Sequence, residues 1–338
     1  MSFAIQLAEK GLLPENIIRM GMRNLISTRL RSITEDSTSK DFANILKKAP
    51  IAIETDAANE QHYEVPANFF EYALGKKRKY SCCYFPDNTD SLDQAEIKSL
   101  EQIAQRAQLA NGQSVLELGC GWGSFTLWYA QTYPNSTIVG VSNSDSQREY
   151  ILGKAKERGL GNIQILTENM KSFSTERRFD RVVSIEMFEH MQNYKELLKR
   201  ISAWLLPDGL LFVHVFCHAQ FPYFFQDKNE KDWMSRYFFT GGIMPSFDLF
   251  SHFQEDLTVE QSWWLNGKHY KQTAEAWAQN MLSNKTEIQP ILEKTYGAAN
   301  ASTWFNRWHM FFLACAELFG YQDGKQWGVG HYLFKQNS

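Results

Sequence analysis

Between residues 114 and 216 short apolar runs alternate with amphipathic ones, and this alternation constrains the fold more than any other feature. SVLELG (114–119), STIVGVS (136–142), NIQILT (162–167), DRVVSI (180–185) and LLFVHVF (210–216) have the length and side chains of buried strands. SFTLWYAQTY, DSQREYILGKAKERG and YKELLKRISAWL read as helices between them, and PDG as a turn before the fifth run. Strands spaced by helices predict an α/β fold with a parallel, doubly wound sheet covered on both faces. Ligands of such sheets sit beyond the carboxyl ends of the strands. That rim takes Gly119 to Gly123, Ser142 to Ser144, Glu168 and Asn169, Glu186 to His190, and His214 to His218.

The rest of the chain is arranged around this unit. Residues 1–80 read as an N-terminal helical extension, in which Arg19, Arg23, Arg29 and Arg31 suggest a solvated face or a lipid-touching one. A polar stretch, ETDAANEQ (54–61), lies within it. Residues 81–338 form the second unit, which opens with the amphipathic helix DQAEIKSLEQIAQRAQLA. The aromatic segment 219–256 interrupts the alternation and is expected to be a helical lid. LTVEQSWWLN and VGHYLFKQ are predicted to be the last two strands, with three helices between them.

Composition narrows the function classes. A net charge of −3 gives no global basic field for nucleic acid or anionic lipid. Cys82, Cys83, Cys120, Cys217 and Cys315 include no CxxC spacing, so neither a disulfide framework nor a zinc site is expected, and no other metal site is predicted. With no signal-like or 18-residue apolar run, a cytoplasmic protein without stable membrane insertion is the expectation. A homodimer is left open. The 24 Phe, 14 Tyr and 10 Trp hint at an aromatic-lined pocket for a small molecule.

LELGCGWGSF places Gly119, Gly121 and Gly123 at the first strand-to-helix turn, where a backbone can approach a ligand closely. A nicotinamide site would want GxGxxG and an acid ending the second strand, and that strand ends in VSNS. Glu117, two residues before Gly119, could instead face a cationic cofactor. The loop resembles the first motif of S-adenosylmethionine-dependent methyltransferases. YSCCYF, LELGCGWGSF, VGVSNSDSQ and FDRVVSIEMFEHMQNY together resemble the cyclopropane-fatty-acid synthase superfamily, most closely its coclaurine N-methyltransferase-like branch. The resemblance implies a Rossmann-like class I methyltransferase fold with S-adenosylmethionine as cofactor. It places Tyr80 and Ser81 at the methionine end, Gly119 and Gly121 in the turn beneath it, and Asn143 and Gln147 near the ribose. Glu168 and Asn169 fall near the adenine, and Ser184 and Glu186 where the methyl is delivered.

SIEMFEHMQNY spaces Glu186, Glu189 and His190 on one turn. Two carboxylates that close need a proton, a cation or a strong donor beside them, unless the turn is simply solvated. An aliphatic amine is mostly an ammonium at neutral pH, and a carboxylate or histidine can take its proton. The resemblance makes Glu189 and His190 the catalytic pair, with Glu186 nearer the cofactor. It also sets a competing reading, because cyclopropane synthases hold a bicarbonate with a Cys, a Glu, a His and a Tyr. Cys82, Glu189 and His214 match three of these, while Phe311 falls where the tyrosine is expected and has no hydroxyl. Phe221, Trp233, Tyr270 and Trp327 are candidate pocket walls, with packing as the alternative. A non-catalytic cofactor-binding protein is the third reading.

Overall fold

The computed structural model describes residues 3–36, 38–53, 65–87, 89, 91–227 and 232–337. The polar stretch at 54–61 lies outside the described residues. The strands are β1 (Ser114–Leu118), β2 (Thr137–Ser142), β3 (Ile163–Thr167), β4 (Phe179–Ile185), β5 (Leu205–His218), β6 (Tyr223–Phe224), β7 (Ile243–Met244), β8 (Leu257–Asn266) and β9 (Trp327–Gln336). Seven of them form one sheet in the order β3-β2-β1-β4-β5-β9-β8. From β1 the chain steps outward to β3, then returns to β4 on the other side. The order therefore reverses between β1 and β4, where a ligand crevice opens in such sheets. The glycine loop follows β1 and Glu186 follows β4, so both motifs flank this crevice.

The sheet departs from the expectation in two places. It is mixed, because β9 runs antiparallel to both β5 and β8. Single-helix crossovers, which keep neighbouring strands parallel, stop at β5. The PDG turn is absorbed into a longer β5, where Asp208 takes a left-handed conformation (φ 64°) and the ladder with β4 shifts register.

Helices Leu92–Arg106 and Ser124–Thr132 cover one face through Leu100, Ile103, Phe125 and Tyr129. On the other face Phe188, Tyr194, Leu197 and Phe250 form a second apolar layer. Three helices, Lys268–Ser283, Lys285–Tyr296 and Ala298–Gly320, join β8 to β9. The N-terminal helix Glu15–Asp36 packs on the last of them. Arg19 grips Glu275 at 2.6 and 2.7 Å and Glu317 at 2.9 Å, and Arg23 also bonds Glu317. Arg29 lies over the Tyr223 ring. Arg19, Arg23 and Arg29 are thus clamps between segments, where the sequence alone admits a solvated or lipid-touching face. The 219–256 insertion is less helical than expected. Its described part holds the β6–β7 hairpin, the five-residue helix Trp233–Tyr237 and one 3-10 turn, Leu249–His252. Among the described residues no helix is long and apolar enough to cross a membrane.

Candidate active site

The glycine loop is fastened to β2 by two bonds, from Gly119 N and Cys120 N to the carbonyl of Val141 at 3.0 Å each. Gly119 (φ 79°) and Gly121 (φ 50°) both take left-handed backbone, which side chains disfavour. A Cβ on Gly119 would lie 2.8 Å from Met187, whereas one on Gly121 would meet nothing within 4 Å. That open space is the cleft itself. Its first half, about 680 Å³, is lined by Gly119, Gly121, Asn143, Gln147, Glu168, Asn169 and His190. The second half, about 540 Å³, is lined by Tyr80, Ser81, Glu117, Gly119, Gly121, Gln147 and Glu186. Gly119, Gly121 and Gln147 belong to both, so the loop sits as a saddle between two adjoining pockets.

Several groups here await a partner. Gln147 accepts the Ser142 hydroxyl at 2.6 Å, which leaves its buried Nε2 with no partner among the described residues. Trp122 Nε1, on the wall of the second half, is likewise unpartnered. Glu117 is 2 % exposed and accepts the Thr126 hydroxyl, and burial pushes its carboxyl up to about 8. A buried carboxyl of this kind is stabilised as an anion by an arriving cation. Unpartnered donors for hydroxyl or ring acceptors, an acid for a cation and bare glycine backbone at Gly119 and Gly121 fit S-adenosylmethionine, which is at once polar and cationic.

The far wall is built differently. Glu186 ends β4 in a left-handed conformation (φ 49°) that aims its carboxylate inward, and such strain persists where surroundings over-determine it. Cys82 N donates to Oε1 at 2.8 Å, His214 Nε2 lies 3.1 Å from the same oxygen, and the Tyr270 hydroxyl donates to Oε2 at 2.7 Å. His214 is in turn 2.9 Å from His331, which is 2.7 Å from Arg106. Lys79, 2 % exposed, donates to the Ser81 hydroxyl and the Cys82 carbonyl at 2.6 Å each. It holds the 79–83 segment and supplies a cation near Glu186. Glu96 anchors the same segment by accepting the backbone N–H groups of Lys77 and Lys79.

Glu189 is fully buried and lines neither half of the cleft. Its Oε1 accepts Phe216 N at 2.7 Å, and Oε2 has no partner among the described residues. Burial, then the neighbouring Glu186, pushes the Glu189 carboxyl well above the usual range. Glu186 is also raised by burial, but Lys79 and its donors oppose this. Of the two, Glu189 is the carboxyl that burial and its neighbour push further toward the protonated form. Burial lowers His190 to about 4, so the imidazole on the cleft wall is neutral at pH 7.

Other candidates lie elsewhere. Ser184 is fully buried and its hydroxyl donates to the Leu118 carbonyl at 3.2 Å, which ties β4 to β1 beneath the loop rather than facing the cleft. Cys82 acts through its backbone N–H, since its thiol is turned to the Cys83 carbonyl. Tyr270, and not the Phe311 position expected from the resemblance, brings a tyrosine hydroxyl to Glu186. Phe221, Trp233, Phe311 and Trp327 line neither half of the cleft. Phe221 caps His218, Trp233 donates to Glu9 at 2.9 Å, Phe311 stacks on Phe238 at 4.4 Å, and Trp327 donates to Tyr223 at 3.1 Å. Lys79, Glu96, Arg106 and His331 were not singled out from the sequence. A histidine inside the apolar run VGHYLF was the available signal for His331, because a buried polar group needs a partner.

The model of the family described as mycolic acid cyclopropane synthetase matches residues 52–327. The (S)-coclaurine N-methyltransferase of Thalictrum flavum subsp. glaucum is 38 % identical over 97 % of this chain and 94 % of its own length. That of Papaver somniferum is 37 % identical over 97 % and 96 %. The crystal structure of coclaurine N-methyltransferase bound to N-methylheliamine and SAH superposes with a TM-score of 0.95 at 36 % identity, covering 98 % of this chain and 99 % of that one. Glycine saddle, cation-ready acid and sheet order agree with these matches: the chain belongs to the mycolic acid cyclopropane synthetase family and is an S-adenosylmethionine-dependent methyltransferase.

Proposed function

We propose that the chain methylates the amine nitrogen of a small molecule, an aliphatic amine of the alkaloid kind. The observation that carries this reading is the occupancy of the donors around Glu186. Cys82 N–H, the His214 ring and the Tyr270 hydroxyl, which a bound bicarbonate would need, are spent on the protein's own carboxylate. The result is a fixed anion at the cleft wall, suited to a cationic acceptor. The names of the N-methyltransferase relatives support the same substrate class.

When bound, the cofactor supplies an electrophilic methyl. The chain's residues must orient the amine, exclude water and remove its proton. Glu186 draws the ammonium to the wall. Glu189 and His190 handle its proton: the carboxyl of Glu189, raised by burial, is once ionised a stronger base than an ordinary one, and His190 is neutral on the cleft wall. Gly119, Gly121, Asn143, Gln147, Glu168 and Asn169 hold the nucleoside end, with Tyr80, Ser81 and Glu117 at the amino-acid end. A cytoplasmic setting belongs to this proposal, and fractionation tests it.

Incubation with methyl-labelled cofactor, a panel of secondary and tertiary amines and a phospholipid extract tests the reading. Label on an amine supports it. A gain of one methylene on unsaturated acyl chains overturns it in favour of the lipid reading, which the convergence of Cys82, His214 and a tyrosine hydroxyl keeps open as the second choice.

A further inference from the structure

The contacts beyond Glu186 form a directed chain. Arg106, the last residue of helix Leu92–Arg106, sits against the Trp263 ring and lies 2.7 Å from His331 Nδ1. His331 Nε2 is 2.9 Å from His214 Nδ1, and His214 Nε2 is 3.1 Å from Glu186 Oε1. His331 and His214 are register partners on β9 and β5, and His214 pairs with Ile185 on β4, so the chain crosses the sheet along one row. Both imidazoles are buried, at 0 % and 1 % exposure.

A guanidinium can only donate, so His331 Nδ1 must accept. A neutral His331 then carries its proton on Nε2 and donates to His214 Nδ1. His214 must likewise carry its proton on Nε2 and donate to Glu186. The opposite arrangement would set the Arg106 N–H against an Nδ1–H and leave the His214 Nε2 lone pair facing Glu186, which could satisfy it only when protonated. We infer that Arg106, outside the cleft, fixes the proton positions of His331 and His214 and thereby holds Glu186 as the ionised, accepting carboxylate. Arg106 and His331 are positioning residues for the methyl transfer. Burial and the Arg106 charge lower both histidines, which agrees with neutral rings.

The effect on rate rests on the proposed function, in which Glu186 meets the acceptor; the proton positions do not. Other groups act on Glu186 as well. Lys79 and Cys82 face it from the 79–83 segment, Glu189 and His190 from the turn after β4, and Tyr270 and Cys315 from the helical layer. Tyr84 faces Arg106. None of these groups is removed by changing Arg106, so a shift in that variant follows Arg106.

Long-range proton–nitrogen NMR of the histidine-labelled protein reads the tautomers without any substrate. His214 and His331 should both be Nε2–H at pH 7 in the wild type and in Arg106→Lys, which can still donate. Arg106→Met should show a population with Nδ1–H. In the same variant the acid limb of kcat/KM for amine methylation should move up by about one pH unit, and Arg106→Lys should restore it. An imidazolium or an Nδ1–H tautomer at His214 in the wild type overturns the inference, as does an unmoved acid limb in a folded Arg106→Met. If that variant does not fold, the wild-type spectrum decides. If no amine is methylated, the spectrum still decides, and the failure belongs to the proposed substrate.

Discussion

The two walls of the cleft solve opposite problems. The wall of β1 and β2 is left incomplete: among the described residues the buried Gln147 Nε2 and Trp122 Nε1 have no partner, Gly121 faces open space and Glu117 has no countercharge. The wall of β4, β5 and β9 is closed, with Glu186 held by three donors and His214 and His331 by partners on both sides. An incomplete wall gains energy when a ligand completes it, so on the proposed function it serves binding. A closed wall gains nothing from binding but costs no reorganisation during reaction, and preorganised charge of this kind is what lowers barriers. Binding and chemistry should therefore fail separately when the two walls are mutated.

The largest effects belong to the closed wall. Glu186→Gln or Glu189→Gln should each slow methyl transfer by about 10²–10⁴-fold while leaving cofactor affinity nearly intact. Because the two carboxyls act on each other electrostatically, the double variant should be little worse than either single one. Single-turnover kinetics with calorimetric cofactor titration checks both statements, and equal losses in rate and affinity would erase the distinction between the walls. Raising the pH should partly rescue Glu189→Gln, since solvent then supplies free amine.

Gly121→Val breaks the open wall. Cofactor at 100 times its dissociation constant should stabilise the native protein by about 2.7 kcal/mol, and the variant should lose this gain. Left-handed backbone at a branched residue should cost a further 1–2 kcal/mol or about that without ligand. Thermal melts with and without cofactor separate the two.

A smaller effect sharpens the role of Glu117. Its carboxyl, at about 8, is mostly protonated at pH 7, and a cation favours the ionised form. Binding then releases a proton, so affinity should rise roughly fivefold between pH 7 and 8 and level off above. Glu117→Gln should flatten that slope. The smallest effect expected is none: removing bicarbonate should leave amine turnover unchanged, because the donors that could hold it already hold Glu186. A bicarbonate requirement would reopen the lipid reading.

How readily each wall could be read from the sequence follows from how it is built. LELGCGWGSF and VSNSDSQ carry their chemistry within a few residues of a strand end, so pattern and resemblance located Gly119, Gly121, Asn143 and Gln147. Glu186, by contrast, acquires its meaning from Cys82, 104 residues away, and Tyr270, 84 away. Arg106 and His331 are 225 apart and meet only because the end of helix Leu92–Arg106 lies against β9. No spacing rule reports such a pair. The aromatic residues misled in the other direction, since Trp233, Phe311 and Trp327 look alike as pocket walls and as packing until their partners are known. The strand run itself was legible through β5, while the reversal at β9 was not, because hydrophobic runs carry no direction.

The position of β9 also orders events during synthesis. β8 cannot join the sheet until residues 327–336 have left the ribosome, since β9 is the strand between it and β5. Until then β5 offers an apolar edge, which is a hazard for pairing with other chains. The same strand brings His331, so before its insertion His214 lacks the neighbour that orients it. A nascent chain could fold its cofactor side early, yet the acceptor side would stay unassembled. Methyl donor could be captured by a half-made enzyme, but transfer must wait for the last strand to slot in.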